Sequence, residues 1–373
     1  MKKILLSLFA LCAATSLWAV KFQSGLLYYN TLAGDSTVEV TYQVFSSNSY
    51  SGSSSNYTGS PENYSTLTAV TIPETVTYNS KTYTVVAIGK YAFTQSYNYR
   101  SYYSDTVNCS SVKNTKLTLI NIPKTVKSIG HRAFSYCTAL KTVNFVGDGL
   151  ESIGQEAFCV CSALTSFAFP QTLKTIGSNA FYDSALAGDV VIPDKVTVVG
   201  SSAFYSTNMT TLSIGNAVTT ISSSTFQSCS SLTSVTLGNS VATIGSSAFK
   251  SCSGLTSITL GNSVATIGES AFQSCSSLTS ITLPKSVKTI NNSAFASCSK
   301  LTTVYLKPTT PPAFTNTNIL PSSAKTFYVP CGAADTYFLS DWVNFTTTFQ
   351  EEECDKKYII YVNQDCTSSV VEE

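Results

Sequence analysis

The sequence predicts a leucine-rich repeat solenoid of about nine stacked rungs, mostly β with short helical turns, on three observations. A spelling recurs nine times: an aliphatic residue, then Ile or Val three later, then a phenylalanine five after that. The phenylalanines are Phe93, Phe134, Phe158, Phe181, Phe204, Phe226, Phe249, Phe272 and Phe295, and after a first gap of 41 they recur every 22 to 24 residues. Each repeat also carries a short stretch of period-two alternation closed by turn residues. A module that short cannot bury its apolar face alone, so neighbours must stack along one axis. Units of 20 to 29 residues are those of leucine-rich architectures, which belong to the α/β class.

The elements follow in chain order. Met1, Lys2 and Lys3, an apolar run over residues 4–14 and small residues up to Ala19 read as a signal peptide over residues 1–19. The apolar run is shorter than the roughly 20 residues that span a bilayer, and Thr15 and Ser16 interrupt its end. Residues 20–66 form an N-terminal β cap and a Ser/Tyr-rich loop. Within it, residues 25–45 alternate as two strands with Leu27, Tyr29, Val38, Val40 and Tyr42 inward, and residues 46–64 are mostly Ser, Asn, Gly and Tyr.

The solenoid occupies residues 67–306. In one unit, Leu232, Val235 and Leu237 make a strand, Gly238 and Asn239 a turn, and Val241 and Ile244 a second extended segment ending at Gly245. Ala248, Phe249 and Cys252 then stand at helical steps, predicting a single helical or 3₁₀ turn that leads to Leu255. Pro123, Pro170, Pro193 and Pro284 end the first strand in other units, where a missing N–H does no harm. Residues 307–373 are a C-terminal cap and tail. Pro308, Pro311 and Pro312 close the array, residues 327–329 read as a strand, and residues 333–342 as a short helix.

Six of the 12 cysteines, Cys137, Cys161, Cys229, Cys252, Cys275 and Cys298, sit three residues after a marker phenylalanine, where other repeats place Ser96, Ser184 and Thr207. A small buried residue suits that slot, so these read as a column of free thiols. Cys109, Cys331, Cys354 and Cys366 lie outside the repeats and are the disulfide candidates. Cys159 and Cys161 form a Cys-x-Cys pair, but no histidine cluster or second pair completes a metal site.

The run Val241, Ile244, Gly245, Ala248, Phe249, Cys252, Leu255, Ile258 and Leu260, recurring over residues 264–283 and 287–306, closely resembles the BspA-like leucine-rich repeat family across about 240 residues. Residues 72–79 and the Tyr-Val-Pro-Cys-Gly of residues 328–332 are also similar to members from gut and oral anaerobic bacteria. The resemblance implies a bacterial protein that is secreted or displayed at the cell surface after signal-peptide removal. Some members bind host matrix or plasma proteins and assist adhesion. No fixed set of binding residues accompanies the repeats.

Only 12 % of residues are charged, about half the usual share, and the net charge of +1 becomes −1 without Lys2 and Lys3. Nucleic acid and anionic membranes are therefore poor partners, and no later segment could span a membrane. The expected partner is an extracellular host protein, with a glycan or bacterial partner as the alternative. Two surfaces are candidates. One is an insertion of about 18 residues after Phe93 that holds Tyr97, Tyr99, Arg100, Tyr102 and Tyr103, the chemistry of a recognition loop. The other is the strand face, represented by Asn144, Ser213, Thr236, Thr259, Thr282 and Tyr305. No catalytic residue, metal site or cofactor is predicted, because His131 is the lone histidine and the carboxylates show no acid/base spacing. Three triplets, at residues 35–37, 105–107 and 183–185, resemble a short bacterial O-glycosylation signal.

Overall fold

A computed structural model describes residues 21–32, 36–41, 64, 66–94, 113–314, 316–346, 348–352, 358–362 and 368–372. Within them the array winds as rungs with three sides. The first side carries the longer strands, such as Leu119–Pro123, Thr142–Val146, Asn208–Ile214, Ser234–Thr236 and Thr303–Leu306. Val, Ile and Leu alternate inward there, and pairing is parallel, joining equal positions of successive rungs: Val235 lies opposite Ile258, and Thr236 opposite Thr259. The second side carries two-residue strands, Thr243–Ile244 pairing with Thr266–Ile267 and that with Thr289–Ile290. Between these sides the Pro123, Pro284 and Gly238 carbonyls accept from the N–H three residues on, at 3.1, 3.0 and 3.2 Å. Such β-turns accept proline at their start.

The third side departs from the helical turn that the spacing predicts. It is a chain of β-turns in which the residues two before and two after the marker phenylalanines from Phe134 to Phe295 are left-handed, as at Ser247 (φ 57°) and Ser251 (φ 62°) around Phe249. The alternation sends every second N–H out of the rung. Ser247, Phe249 and Ser251 donate to the carbonyls of Glu269, Ala271 and Gln273 in the next rung at 2.8, 2.7 and 2.7 Å. A helical turn would direct those donors to its own chain and leave the rungs unjoined on this side. Left-handed geometry costs about 1 kcal/mol per non-glycine residue, and the bonds between rungs offset it.

Inside, the nine marker rings form one buried stack, with successive centroids 4.9–5.5 Å apart from Phe93 to Phe295. Beside it runs the thiol column. Cys161, Cys229, Cys252, Cys275 and Cys298 each donate to the carbonyl of the marker phenylalanine one rung earlier at 3.1–3.2 Å, and Cys137 does so at 3.6 Å. These six and Cys159 are buried and form no disulfide. A row of glycines lets the rungs approach: a Cβ on Gly154 would stand 2.8 Å from the Gly130 carbonyl carbon.

Among the described residues three interruptions break the ladders: long-strand pairing stops between Ser257–Thr259 and Ser280–Leu283, and two others mark places where the row residues change. On the long-strand side no strand forms over residues 165–169, where Phe167 and Phe169 occupy the inward slots and pack edge-on against Phe181 at 4.9 and 5.5 Å. On the short-strand side pairing stops between Val198–Val199 and Thr220–Ile221. Ser222 stands there in the glycine row, and its hydroxyl bonds the Val199 carbonyl at 2.6 Å.

The N-terminal cap has the two strands expected within residues 25–45, Leu27–Thr31 and Thr37–Thr41, and a further one before them, Lys21–Ser24. Thr37–Thr41 pairs in parallel with Lys81–Ile88 and so prolongs the short-strand side. Leu27, Tyr29, Val38 and Val40 are buried as expected, while Tyr42, the signal segment and residues 46–63 lie outside the described residues. At the other end Thr326–Pro330 continues the ladder, a helix spans Ala334–Phe338, and Thr348–Glu352 leads into two antiparallel strands, Tyr358–Val362 and Ser368–Glu372. The prolines that end the array take part in the cap: Trp342 donates to the Pro312 carbonyl at 2.8 Å and Tyr337 to that of Pro308 at 2.9 Å. Cys331 is disulfide-bonded, whereas Cys109, Cys354 and Cys366 lie outside the described residues.

Candidate functional site

The strand face gathers most of the residues predicted for it. Ser213, Thr236 and Thr259 lie opposite one another in three consecutive strands, and the next rungs pair Thr282 with Tyr305, Tyr305 with Tyr328, and Tyr328 with Gln350. Tyr305 and Tyr328 stack, with centroids 4.8 Å apart and planes 9° from parallel. Sequence reasoning missed Tyr328 and Gln350, although Tyr328 lies one 23-residue period after Tyr305. Asn144 is separate from this run. It belongs to an amide ladder beyond the interruption at residues 165–169, donating to Asn121 at 3.0 Å while Asn121 donates to Thr71 at 2.9 Å. Val146 and Val191, each 59 % exposed, flank that interruption.

Every outward residue of the long-strand side from Thr210 to Thr303 is Ser or Thr. Some of these hydroxyls serve the fold: Thr233 and Thr256 donate to the carbonyls of Thr210 and Thr233 at 2.9 and 3.0 Å, and Thr211 to Asp189 at 2.7 Å. Those of Ser213, Thr236, Thr259 and Thr282 bond no other described residue and face outward. Past Tyr305 the face carries Lys307 and Glu352, which form an ion pair with each other, and the exposed Lys325, one rung on from Thr302.

Residues 95–112, and with them Tyr97, Tyr99, Arg100, Tyr102 and Tyr103, lie outside the described residues. Both flanks of this insertion are anchored. The Thr94 hydroxyl donates to the Arg132 carbonyl at 2.7 Å. Asn114 is buried and does three things: its N–H donates to the Tyr136 carbonyl (3.1 Å), its amide donates to the Phe93 carbonyl (3.1 Å), and its oxygen accepts from the N–H of Leu117 (3.0 Å). Asn114 precedes Leu117 by three residues, as Cys137 precedes Leu140. Ser96, which the phenylalanine spacing assigns to the thiol slot, lies outside the described residues. The insertion springs from the side of the marker phenylalanines, several rungs from the serine and threonine run.

The titratable groups serve packing. His131 Nδ1 lies 3.0 Å from the Gln155 carbonyl, which holds its proton there, and burial together with the neighbouring Arg132 guanidinium keeps the imidazole below its ordinary pKa. Arg132 and Glu156, with side chains 10 % and 15 % exposed, pair at 2.6 Å between adjacent rungs. Burial pushes the Cys137 and Cys161 thiols up, so they stay protonated and unreactive. Among the described residues no group of three or more His, Cys, Asp or Glu could hold a metal ion, and no helix is long and apolar enough to cross a membrane. Ser184, in the triplet at residues 183–185, is buried and closed to a modifying enzyme.

No curated protein sequence is similar to the chain. Solved structures with similarity include a leucine-rich repeat protein from Bacteroides ovatus, 24 % identical, covering 89 % of this chain and 100 % of its own, with a TM-score of 0.36. A leucine-rich repeat protein of T. pallidum is 23 % identical over 63 % of this chain and 91 % of its own, with a TM-score of 0.45. A leucine-rich cell surface protein from Faecalibacterium prausnitzii is 22 % identical over 90 % and 96 %, with a TM-score of 0.32. The model of the BspA-type leucine-rich repeat region matches residues 105–233 and 219–325 with six copies. With more than half its length so matched and its rungs stacked as described, the chain belongs to the BspA-type leucine-rich repeat family, whose repeats form scaffolds typical of protein–protein interaction.

Proposed function

We infer that this chain is a secreted or cell-surface scaffold that holds an extracellular protein, adhesion to a host matrix or plasma protein being its role. The observation that carries the reading is the anchoring of both flanks of the tyrosine-rich insertion on a rigid frame, by Thr94 and by the buried Asn114. Recognition residues on loops are effective when a scaffold positions them, and tyrosine with arginine gives large contact area at modest entropic cost. The disulfide at Cys331 supports an oxidising compartment outside the cytoplasm, in line with the basic, apolar and small residues of the N-terminal segment.

The test is binding of the chain to a panel of immobilised host matrix and plasma proteins beside a variant lacking residues 95–112, which retains Thr94 and Asn114. Saturable binding to at least one protein, lost in the variant while its melting curve is unchanged, is the expected result. Binding to none of the panel, or undiminished binding by the variant, would remove the insertion as the adhesive element.

A further inference from the structure

We propose that the C-terminal half of the strand face binds an uncharged, extended glycan laid along the solenoid axis, with Tyr305 and Tyr328 as its anchoring subsite. This goes beyond the protein-binding reading, since it concerns another surface and another class of ligand.

The rings of Tyr305 and Tyr328 are half-exposed and already stacked on each other, 4.8 Å apart. Their mutual packing removes most of the rotamer freedom that binding would otherwise freeze. An aromatic surface with a hydroxyl at its tip suits the C–H side of a sugar ring whose rim carries hydroxyls. In register with the pair stand Gln350 on one side, an amide that donates and accepts, and Thr282 on the other. Beyond Thr282 lie Thr259 and Thr236, whose hydroxyls bond nothing else among the described residues. Strands in a ladder are roughly 4.8 Å apart, comparable to the length of one pyranose, so successive sugars would meet a hydroxyl at each rung from Ser213 to Thr259 and, across the unpaired step to Ser280–Leu283, at Thr282.

Charge decides the ligand class. On the long-strand side the outward positions from Thr210 to Thr303 carry no charged side chain, Lys307 and Glu352 neutralise each other, and Lys325 is exposed beyond them at the C-terminal end. A polyanion laid along the serine and threonine rungs would lose hydration there and find no cation in return, Lys325 lying beyond them. A protein interface would be expected to present aromatic, Met and Arg anchors at its centre, but the serine and threonine rungs hold none. A neutral chain of hydroxyls, each a donor and an acceptor, is the ligand that matches them.

The experiment is affinity electrophoresis and calorimetry with hydroxyethylcellulose, xyloglucan and galactomannan, with heparin as the charged comparison. The proteins are the full chain, Tyr305→Ala, Tyr305→Phe, Thr259→Glu and the variant lacking residues 95–112. The expected result is binding to at least one neutral polymer and none to heparin. Affinity should fall at least tenfold in Tyr305→Ala and at least fivefold in Thr259→Glu, and stay within twofold in Tyr305→Phe and in the deletion variant, with circular dichroism melts showing all five folded. Three outcomes would overturn the proposal: no neutral polymer binds, Tyr305→Ala and Thr259→Glu bind as the parent does, or Thr259→Glu abolishes capture of an immobilised host protein while glycans never bind, which would make this face a protein site. The deletion variant separates the two readings, because it should lose the protein ligand and keep the glycan.

Discussion

At the scale of single residues, the slot beside the phenylalanine stack shows why sulfur recurs in it. A thiol there reaches the phenylalanine carbonyl one rung earlier, as Cys161 does at 3.2 Å and Cys229 at 3.1 Å. The shorter serine hydroxyl does not: Ser184 is buried and its oxygen has no hydrogen-bond partner. Leaving a buried hydroxyl unbonded costs about 1–3 kcal/mol. Ser184→Cys should therefore raise the denaturation midpoint by the equivalent of about 1 kcal/mol, and an unchanged midpoint in urea would show that the site relaxes around the serine. The thiols also set a pH limit. Burial raises the Cys137 and Cys161 pKa values above the unfolded value of about 8.5, so their contribution is complete below that value and is lost as pH rises toward the folded ones. Stability should thus be lower at pH 10 than at pH 7, and the seven buried cysteines without a disulfide should react with a thiol reagent only on unfolding. Rapid reaction in the native state would contradict the packing described.

At the scale of one rung, the marker turn and the glycine row together set how closely neighbours approach. A Cβ on Gly245 would lie 2.7 Å from the Ile221 carbonyl oxygen, so Gly245→Ala should destabilise by about 1–3 kcal/mol through forced displacement of the rung. Ser222 displays the natural form of that perturbation, with its side chain in place of the ladder. Ser222→Gly should extend the short-strand sheet across the interruption, and slower amide exchange at residues 219–222 would show it. The phenylalanine column carries more of the core. Phe249→Ala removes a ring stacked on both sides, 5.2 Å from Phe226 and 5.3 Å from Phe272, and should cost about 3–5 kcal/mol in a chemical denaturation experiment.

At the scale of the whole molecule, stability is a sum of rungs and of their interfaces. Deleting residues 241–263 removes one complete period and joins Ser240 to Val264, keeping every column in register. That variant should fold with the same circular dichroism spectrum and a slightly lower midpoint. A deletion of half that length would place polar outward residues in the core and should abolish the cooperative transition. The caps follow the same logic, since each extends a ladder and covers the apolar end of the stack. The N-terminal strands prolong the short-strand side through Lys81–Ile88, and the C-terminal helix and Trp342 close the last rung.

Much of this was legible from residue spacing. A period of 23 with Val, Ile, Phe, Cys and Leu at constant offsets defines which side chains point inward, because a short module can bury them only by stacking on its own copies. The buried thiol column, the strand that begins the C-terminal cap and the inward residues of the N-terminal cap all follow from that pattern. What spacing could not supply was backbone geometry and contacts between distant rungs. Helical steps at Ala248, Phe249 and Cys252 are equally compatible with a helical turn and with alternating left-handed residues, and only the hydrogen bonds to the next rung select the second. The bonds from Asn114 to Phe93 and Leu117 were hidden because an insertion separates it from its phenylalanine, and Tyr328 with Gln350 because a cap was expected where the ladder continues. Periodicity assigns a residue to the inside or the outside; which outward residues meet, and which hydroxyls remain open to a ligand, is settled by the register between rungs, and that exists only once the chain has wound.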